Sequence, residues 1–292
     1  MPKPISGSDM NMRCIHVAAI TETVEALIYK ASYNMPADVI KAVQHAKENE
    51  SSELSQSVLD QLLESYAIAS REHIAICQDT GMCVVFCEIG QDVHFEGGYF
   101  EDAVNEGVRI AYRKGCLRKS IVRDPLYDRT NTTDNTPAVI HTRIVPGDKV
   151  RLQVVLKGFG SETMSRIKML VPANGESGII DFVLDTVSSA SANPCPPIIL
   201  GVCIGGDFET APMHAKRMTA RALDEPNPDP RYAALEETLL SRINALSIGP
   251  AGFGGKTTCL KVNICALPTH IAGMPVAVNV CCHAARHASA LI

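Results

Sequence analysis

Hydrophobic positions recur at helical spacing through the first seventy residues. Val24, Leu27 and Ile28 share one face, and Val39, Ile40 and Val43 share another after Pro36, which suits a first helical turn. Leu54, Val58, Leu62 and Tyr66 recur every fourth residue. These spacings predict a helical N-terminal layer over residues 1–70. The pattern then changes. "CVVFCEI" (83–89) reads as a short buried strand, and residues 100–114 return to helix. Residues 137–158 predict two strands joined at Pro146-Gly147-Asp148, a turn sequence, and Val150, Leu152, Val154 and Leu156 alternate as one buried face. Ile179, Ile180, Val183, Leu184 and Val187 make a helix face. "PPIILGVCIGG" (196–206) is a buried strand entering a glycine turn. Asp229-Pro230 is a cap followed by a first-turn proline, opening a helix with Leu235, Leu239, Ile243 and Leu246. Leu260, Val262 and Ile264 alternate, as do Val276, Val278 and Val280. "DEPNPDP" (224–230) is the clearest loop, yet no linker cleanly divides the chain and no repeat appears. The expectation is a mixed α+β protein: a helical N-terminal layer, then mixed sheets packed with helices, in one compact unit over residues 1–292.

Composition narrows the function classes. A chain of 292 residues, 46% hydrophobic and 20% charged, is globular and can bury a sizeable core. A net charge of −5 without a basic stripe argues against nucleic acid and anionic membranes as partners. The absence of Trp argues against base stacking as well. The longest apolar runs fall short of the roughly 20 residues of a membrane span. "MPKPISGSDM" lacks the charged-then-apolar order of a signal peptide. A soluble, cytoplasmic protein is expected. Its eleven cysteines are odd in number, against a disulfide framework. For Cys14, Cys116 or Cys259 the ordinary reading is a small packed hydrophobe.

Familiar motifs fail. "GPAGFGGKTT" (249–258) leaves five residues between Gly249 and Gly255, one too many for a phosphate loop. Lys256 and Thr257 remain candidates to meet some anionic group at this glycine turn. No HExxH, GxSxG or CxxC occurs.

Three cysteines stand beside residues that a core avoids. Cys77 precedes Gln78-Asp79-Thr80-Gly81. Cys195 lies in "NPCPP" between prolines that fix the backbone. Cys282 lies in "CCHAARHA" at the end of an alternating strand. A structural zinc site favours close pairs, whereas these thiols are far apart in sequence. Three remote thiolates suit an iron–sulfur cluster with one iron left to substrate, where it acts as a Lewis acid. The competing reading keeps all three as core cysteines.

"CQDTG", "NPCPP" and "CHAAR", joined by "LRKSIVRDPLYDRTNTTDNTPAVI", "KGFGSE" and "GVCIGGD", carry a resemblance. From about residue 15 onwards the chain resembles the class I (iron–sulfur) fumarase family, specifically its separate α subunit, whose layout the L-tartrate dehydratase α subunit shares. The resemblance implies that Cys77, Cys195 and Cys282 ligate a [4Fe–4S] cluster, with Cys281 and Cys203 as rivals. It implies that Gln78 and Asp79 contact substrate, that Arg118 clamps a carboxylate, and that Gly160 offers its backbone. Asp79 is the implied catalytic proton carrier, and Lys157, Ser161, Asn131 and Thr132 are expected to line the same pocket. His283 is the expected partner of a cluster ligand. The implied activity is the reversible hydration of fumarate to (S)-malate, by a hydro-lyase that needs a β subunit, in an α2β2 assembly. An L-tartrate dehydratase α subunit is the alternative, and a non-catalytic iron–sulfur or thiol-redox module is the alternative of another class. Phe159, Asp207 and Ala285 depart from the family's pattern, which bears on fine substrate choice.

Overall fold

The computed structural model describes residues 12–292; the N-terminal segment read above for a leader lies outside the described residues. In chain order the elements are β1 (Arg13–His16), α1 (Val17–Tyr33), α2 (Ala37–Asn49), α3 (Glu53–Glu72), β2 (Met82–Gly90), β3 (Val93–Glu96), α4 (Phe100–Lys114), β4 (Val139–Val145) and β5 (Val150–Lys157). There follow a one-turn α5 (Phe159–Glu162), β6 (Arg166–Leu170), α6 (Gly175–Ala190), β7 (Ile198–Gly206), α7 (Thr210–Met218), α8 (Pro230–Asn244), β8 (Cys259–Thr269), β9 (Met274–Cys281) and β10 (His287–Leu291). The fold is α+β, as the periodicities predict. None of the described helices is long and apolar enough to cross a membrane.

Contacts group the chain into two compact units, each drawn from separated stretches. One holds the residues up to Ala31 with Met82–Val155 and His287–Ile292; the other holds Ser32–Gly81 and Leu156–Arg286. In the first, a four-stranded sheet runs β10-β5-β2-β4. Val150, Leu152 and Val154 turn inward as their alternation requires. The Pro-Gly-Asp turn does connect β4 to β5, but the two strands are not neighbours. β2 lies between them, parallel to β4. The end of β2 bonds back into that connection: Gly90 N–H donates to Lys149 O at 2.8 Å and Gln91 N–H to Val145 O at 2.7 Å.

The second unit is built on the sheet β6-β9-β7-β8, with β7 parallel to β8 and antiparallel to β9. β7 is apolar without alternation because both of its faces are covered. Ile198, Leu200, Val202 and Ile204 pack with Ile179, Ile180 and Val183 of α6 and Leu235, Leu239 and Ile243 of α8. On the other face Cys203 meets Ala211 and Ala215 of α7 and Ala277 of β9, while Ile199 joins Val39, Val43, Leu59 and Tyr66 of α2 and α3. The α8 start follows the sequence signal: Asp229 accepts from Arg231 N–H at 2.9 Å, and Pro230 is the first helical residue.

α3 is a helix as predicted, but its buried face is Ser55, Leu59, Tyr66 and Ala69. Leu54 is exposed. Each i+4 step advances about 40° beyond a full turn, so three steps carry an every-fourth-residue stripe off the face.

Candidate active site

The sheet of the second unit brings Cys195 and Cys282 to one end. β9 runs antiparallel to β7 with Ile199 opposite Cys281, so the residues after β9 meet those before β7. Cys195 lies three residues before Ile198, and Cys282 directly follows Cys281. Cys77 arrives from α3, which ends at His73 in a left-handed conformation (φ 51°). The end of β9 is tied to the same helix, since the Tyr66 hydroxyl and His283 Nδ1 are hydrogen-bonded at 2.7 Å. Cys195 itself has φ 53°, uncommon for a residue with a Cβ and costing roughly 1–2 kcal/mol. Proline on either side holds this backbone, and the cysteine is exposed.

The Cys195 thiol senses the other two. Burial raises the Cys195 pKa, and the neighbouring Cys282 and Cys77 raise it further. Cys282 is shifted the other way. The Cys281 thiol donates to its sulfur, and Arg286 and Lys157 add positive potential, against a burial penalty. By contrast Cys83, Cys87 and Cys259 are pushed up to about 12 by burial, the behaviour of inert core thiols. The rivals lie in the core: Cys281 with Leu59 and Ile199, and Cys203 with Ala211 and Ala215. Among the described residues no three His, Cys, Asp or Glu side chains are arranged to hold a single metal ion.

Asp79 is held by backbone on both sides. One carboxylate oxygen accepts from Gly81 N–H at 3.1 Å, the other from Phe159 N–H at 2.7 Å. Gly81 makes this possible. At φ 86°, a Cβ there would stand 2.9 Å from the backbone of Leu156 and Lys157. Gln78, next to it, is exposed. Gly160 is exposed in α5, where a Cβ would lie 3.9 Å from Asn193 O, on the loop that carries Cys195. Arg118 is an exposed residue of the first unit, in the segment after α4.

Lys157 and Ser161 differ from their expected place in a pocket lining. Lys157 is 1% exposed and donates to Ser161 Oγ and to Val280 O, each at 2.8 Å. It also pairs with Glu162 at 3.3 Å, whose other oxygen meets Lys216 at 2.6 Å. Burial opposes charge on Glu162, but Lys157 and Lys216 outweigh it and hold the carboxyl below its usual range. This network fastens the turn after β5 to the strand end before Cys281. Sequence reasoning gave it no such role; the signal was a lysine inside an alternating apolar strand. Arg286 was likewise passed over. It is 2% exposed, and its Nε has no hydrogen-bond partner.

The glycine turn at 249–258 meets an anion of the chain's own. Glu50 accepts from Lys256 N–H at 2.7 Å and from Ser51 N–H at 2.8 Å, and Lys256 Nζ donates to Asn49 O at 3.0 Å.

Fold and site together define an α+β chain whose second unit brings Cys282 back towards Cys195 and holds the Asp79 carboxylate on two backbone N–H groups. The family model described as "Fumarate hydratase (Fumerase)" matches residues 21–291, and the chain belongs to that family. It is 36% identical over 273 residues to the "Putative L(+)-tartrate dehydratase subunit alpha" of Methanocaldococcus jannaschii, covering 92% of this chain and 96% of that protein. It is 29% identical over 280 residues to the L(+)-tartrate dehydratase subunit alpha of Escherichia coli O157:H7, covering 94% of this chain and 91% of that one.

Proposed function

We propose that this chain is the α subunit of an iron–sulfur hydro-lyase that hydrates fumarate reversibly to (S)-malate. In this reading Cys77, Cys195 and Cys282 hold a [4Fe–4S] cluster. The observation that carries it is the pairing of Ile199 with Cys281, which brings Cys282 to the end of the sheet where Cys195 lies, together with the backbone-held carboxylate two residues after Cys77. The donor set fits such a group. Cys282 and Cys77 oppose ionisation of Cys195, which a cationic centre would relieve, and buried Lys157 and Arg286 favour the thiolate of Cys282.

Bound there, the cluster would supply a Lewis acid at the iron that lacks a protein thiolate. The chain's own residues do the rest. Asp79, its oxygens aimed by Gly81 and Phe159, accepts and returns a proton at the carboxylate. Gln78 presents its amide to substrate, Gly160 its backbone, and Arg118 a planar fork that grips a carboxylate in two hydrogen bonds. A β subunit completes the site, a reading supported by the "subunit alpha" in the relatives' names, and the proposed assembly is α2β2. Those names also favour a second reading, dehydration of L(+)-tartrate by the same chemistry.

The test is anaerobic. Iron and sulfide are counted in the wild type and in Cys77→Ser, Cys195→Ser and Cys282→Ser, and the complex is assayed on fumarate, (S)-malate and L(+)-tartrate. Each variant is expected to lose the full cluster, and Cys281→Ser to keep it. A colourless wild type without iron would sink the proposal. A fourth thiolate ligand with no spectral response to a diacid would favour a redox module instead. Turnover of tartrate alone would transfer the activity to the second reading, and full activity without a partner would remove the β subunit.

A further inference from the structure

Arg286 is buried to 2% exposure four residues after Cys282, and its Nε has no hydrogen-bond partner. Across from it lies Asp79. A Cβ built on Gly158 would stand 3.2 Å from Asp79 Oδ2 and 3.3 Å from Arg286 Nη2, so both groups border one narrow slot that Gly158 keeps open. Gly158 has φ −70° and ψ 139°, values any residue adopts, so its turn does not require glycine. What is left is the space. A guanidinium withdrawn from water favours a nearby carboxylate's charge and fixes its direction, more strongly than in solvent. Asp79 already takes one backbone N–H on each oxygen, from Gly81 and Phe159, and the Arg286 guanidinium borders the same slot.

We infer that Arg286 is a positioning residue for Asp79, acting across the slot that Gly158 leaves open. The inference rests on the hydro-lyase reading for its kinetic consequence, and on geometry alone for its structural one. The guanidinium touches no substrate in this scheme; it borders the slot and keeps the carboxylate aimed.

The test uses the anaerobic complex of this chain with its partner subunit, in wild-type, Arg286→Gln, Arg286→Lys and Gly158→Ala forms, assayed on fumarate and L(+)-tartrate. Arg286→Gln is expected to keep the wild-type iron and sulfide count. Its kcat is expected to fall about 10²-fold while KM moves less than about threefold. Arg286→Lys is expected to recover about tenfold of that loss by restoring the charge without the fork. Gly158→Ala is expected to lower kcat in the same direction, by crowding the slot with Arg286 intact. Hydrogen exchange on the same complexes adds a readout independent of turnover. Arg286→Gln is expected to speed exchange at the amides of Gly81 and Phe159, which hold Asp79, and to leave those of β7 and β9 unchanged.

Wild-type kcat in Arg286→Gln, or unchanged exchange at Gly81 and Phe159, overturns the inference. So does a fall in kcat that merely matches lost iron, since Arg286 would then support the cluster alone. Should Arg286→Gln fail to fold, wild-type kcat in Gly158→Ala overturns it. A wild-type complex that binds no iron, or turns over neither diacid, overturns the hydro-lyase reading instead, and the exchange measurement still judges Arg286.

Discussion

A single buried ammonium, Lys157, joins three parts of the second unit: its own turn through Ser161, the end of β9 through Val280 O, and α5 through Glu162. Removing one partner of a buried ion pair leaves the other charged and desolvated. Lys157→Met is therefore expected to cost about 3 kcal/mol, the low end for such a loss because Glu162 keeps Lys216 at 2.6 Å. Urea unfolding measures it, and the double variant Lys157→Met/Glu162→Gln should be less destabilised than the single one. A double variant that costs the sum of Lys157→Met and Glu162→Gln measured singly would show that the pair is not coupled. Tyr66 is a smaller case. Burial keeps its hydroxyl protonated and holds the His283 pKa down, and the two groups share a hydrogen bond. Tyr66→Phe should cost about 1–2 kcal/mol by leaving Nδ1 unsatisfied, read from the same urea curves.

At the scale of elements, β7 organises the second unit, and Gly201 is where a helix rests on it. A Cβ there would stand 1.9 Å from Ala215 O, in the backbone of α7. Gly201→Ala must push α7 off the strand, with an expected cost of about 3 kcal/mol, the upper end for overpacking. Calorimetry should show a clear fall in Tm, and an unchanged Tm would mean that α7 moves freely. The elements themselves were largely legible. The strict alternation of Val150, Leu152 and Val154 and the Asp229-Pro230 cap report local physics that a sequence displays directly. Strand partners were not legible. The turn after β4 suggested a hairpin, and nothing local reveals that β2 occupies the space between β4 and β5. The drift of the α3 face is subtler: Leu54 lies on a four-residue repeat, and only the packed side decides which part of a broad stripe is buried.

For the whole molecule, acid is the condition that tests many of these contacts together. Burial opposes charge on Glu50, but the backbone N–H groups of Ser52, Lys256, Ser51 and Thr257 prevail and hold it below its usual range. Glu162 is held low by Lys157 and Lys216, and Asp134 by Thr136 and Arg109, each against a burial penalty. Asp229 sits at about 2, through Arg231. A carboxylate whose folded pKa lies below its unfolded value contributes stability that is complete above the unfolded pKa, about 4. That contribution is lost as pH falls towards the folded value. The urea midpoint is therefore expected to drop as pH falls from about 5 to about 2, and Glu50→Gln should flatten part of that slope. A midpoint that rises on acidification would contradict the assignment.

The sequence by itself determined the element types, the α+β class, the family resemblance and the residues able to do chemistry. Those follow from periodicity, turn residues and local motifs, which act over a few positions. Only the tertiary structure decided which side chains share a site. The register that sets Ile199 opposite Cys281 brings Cys282 back towards Cys195 and turns Cys281 into the core. It also makes Lys157 an internal clamp rather than a pocket residue, and gives the anion for Lys256 as the chain's own Glu50. These outcomes depend on strand pairing and helix packing between residues far apart in the chain, where burial and close approach, not local preference, set the free energy.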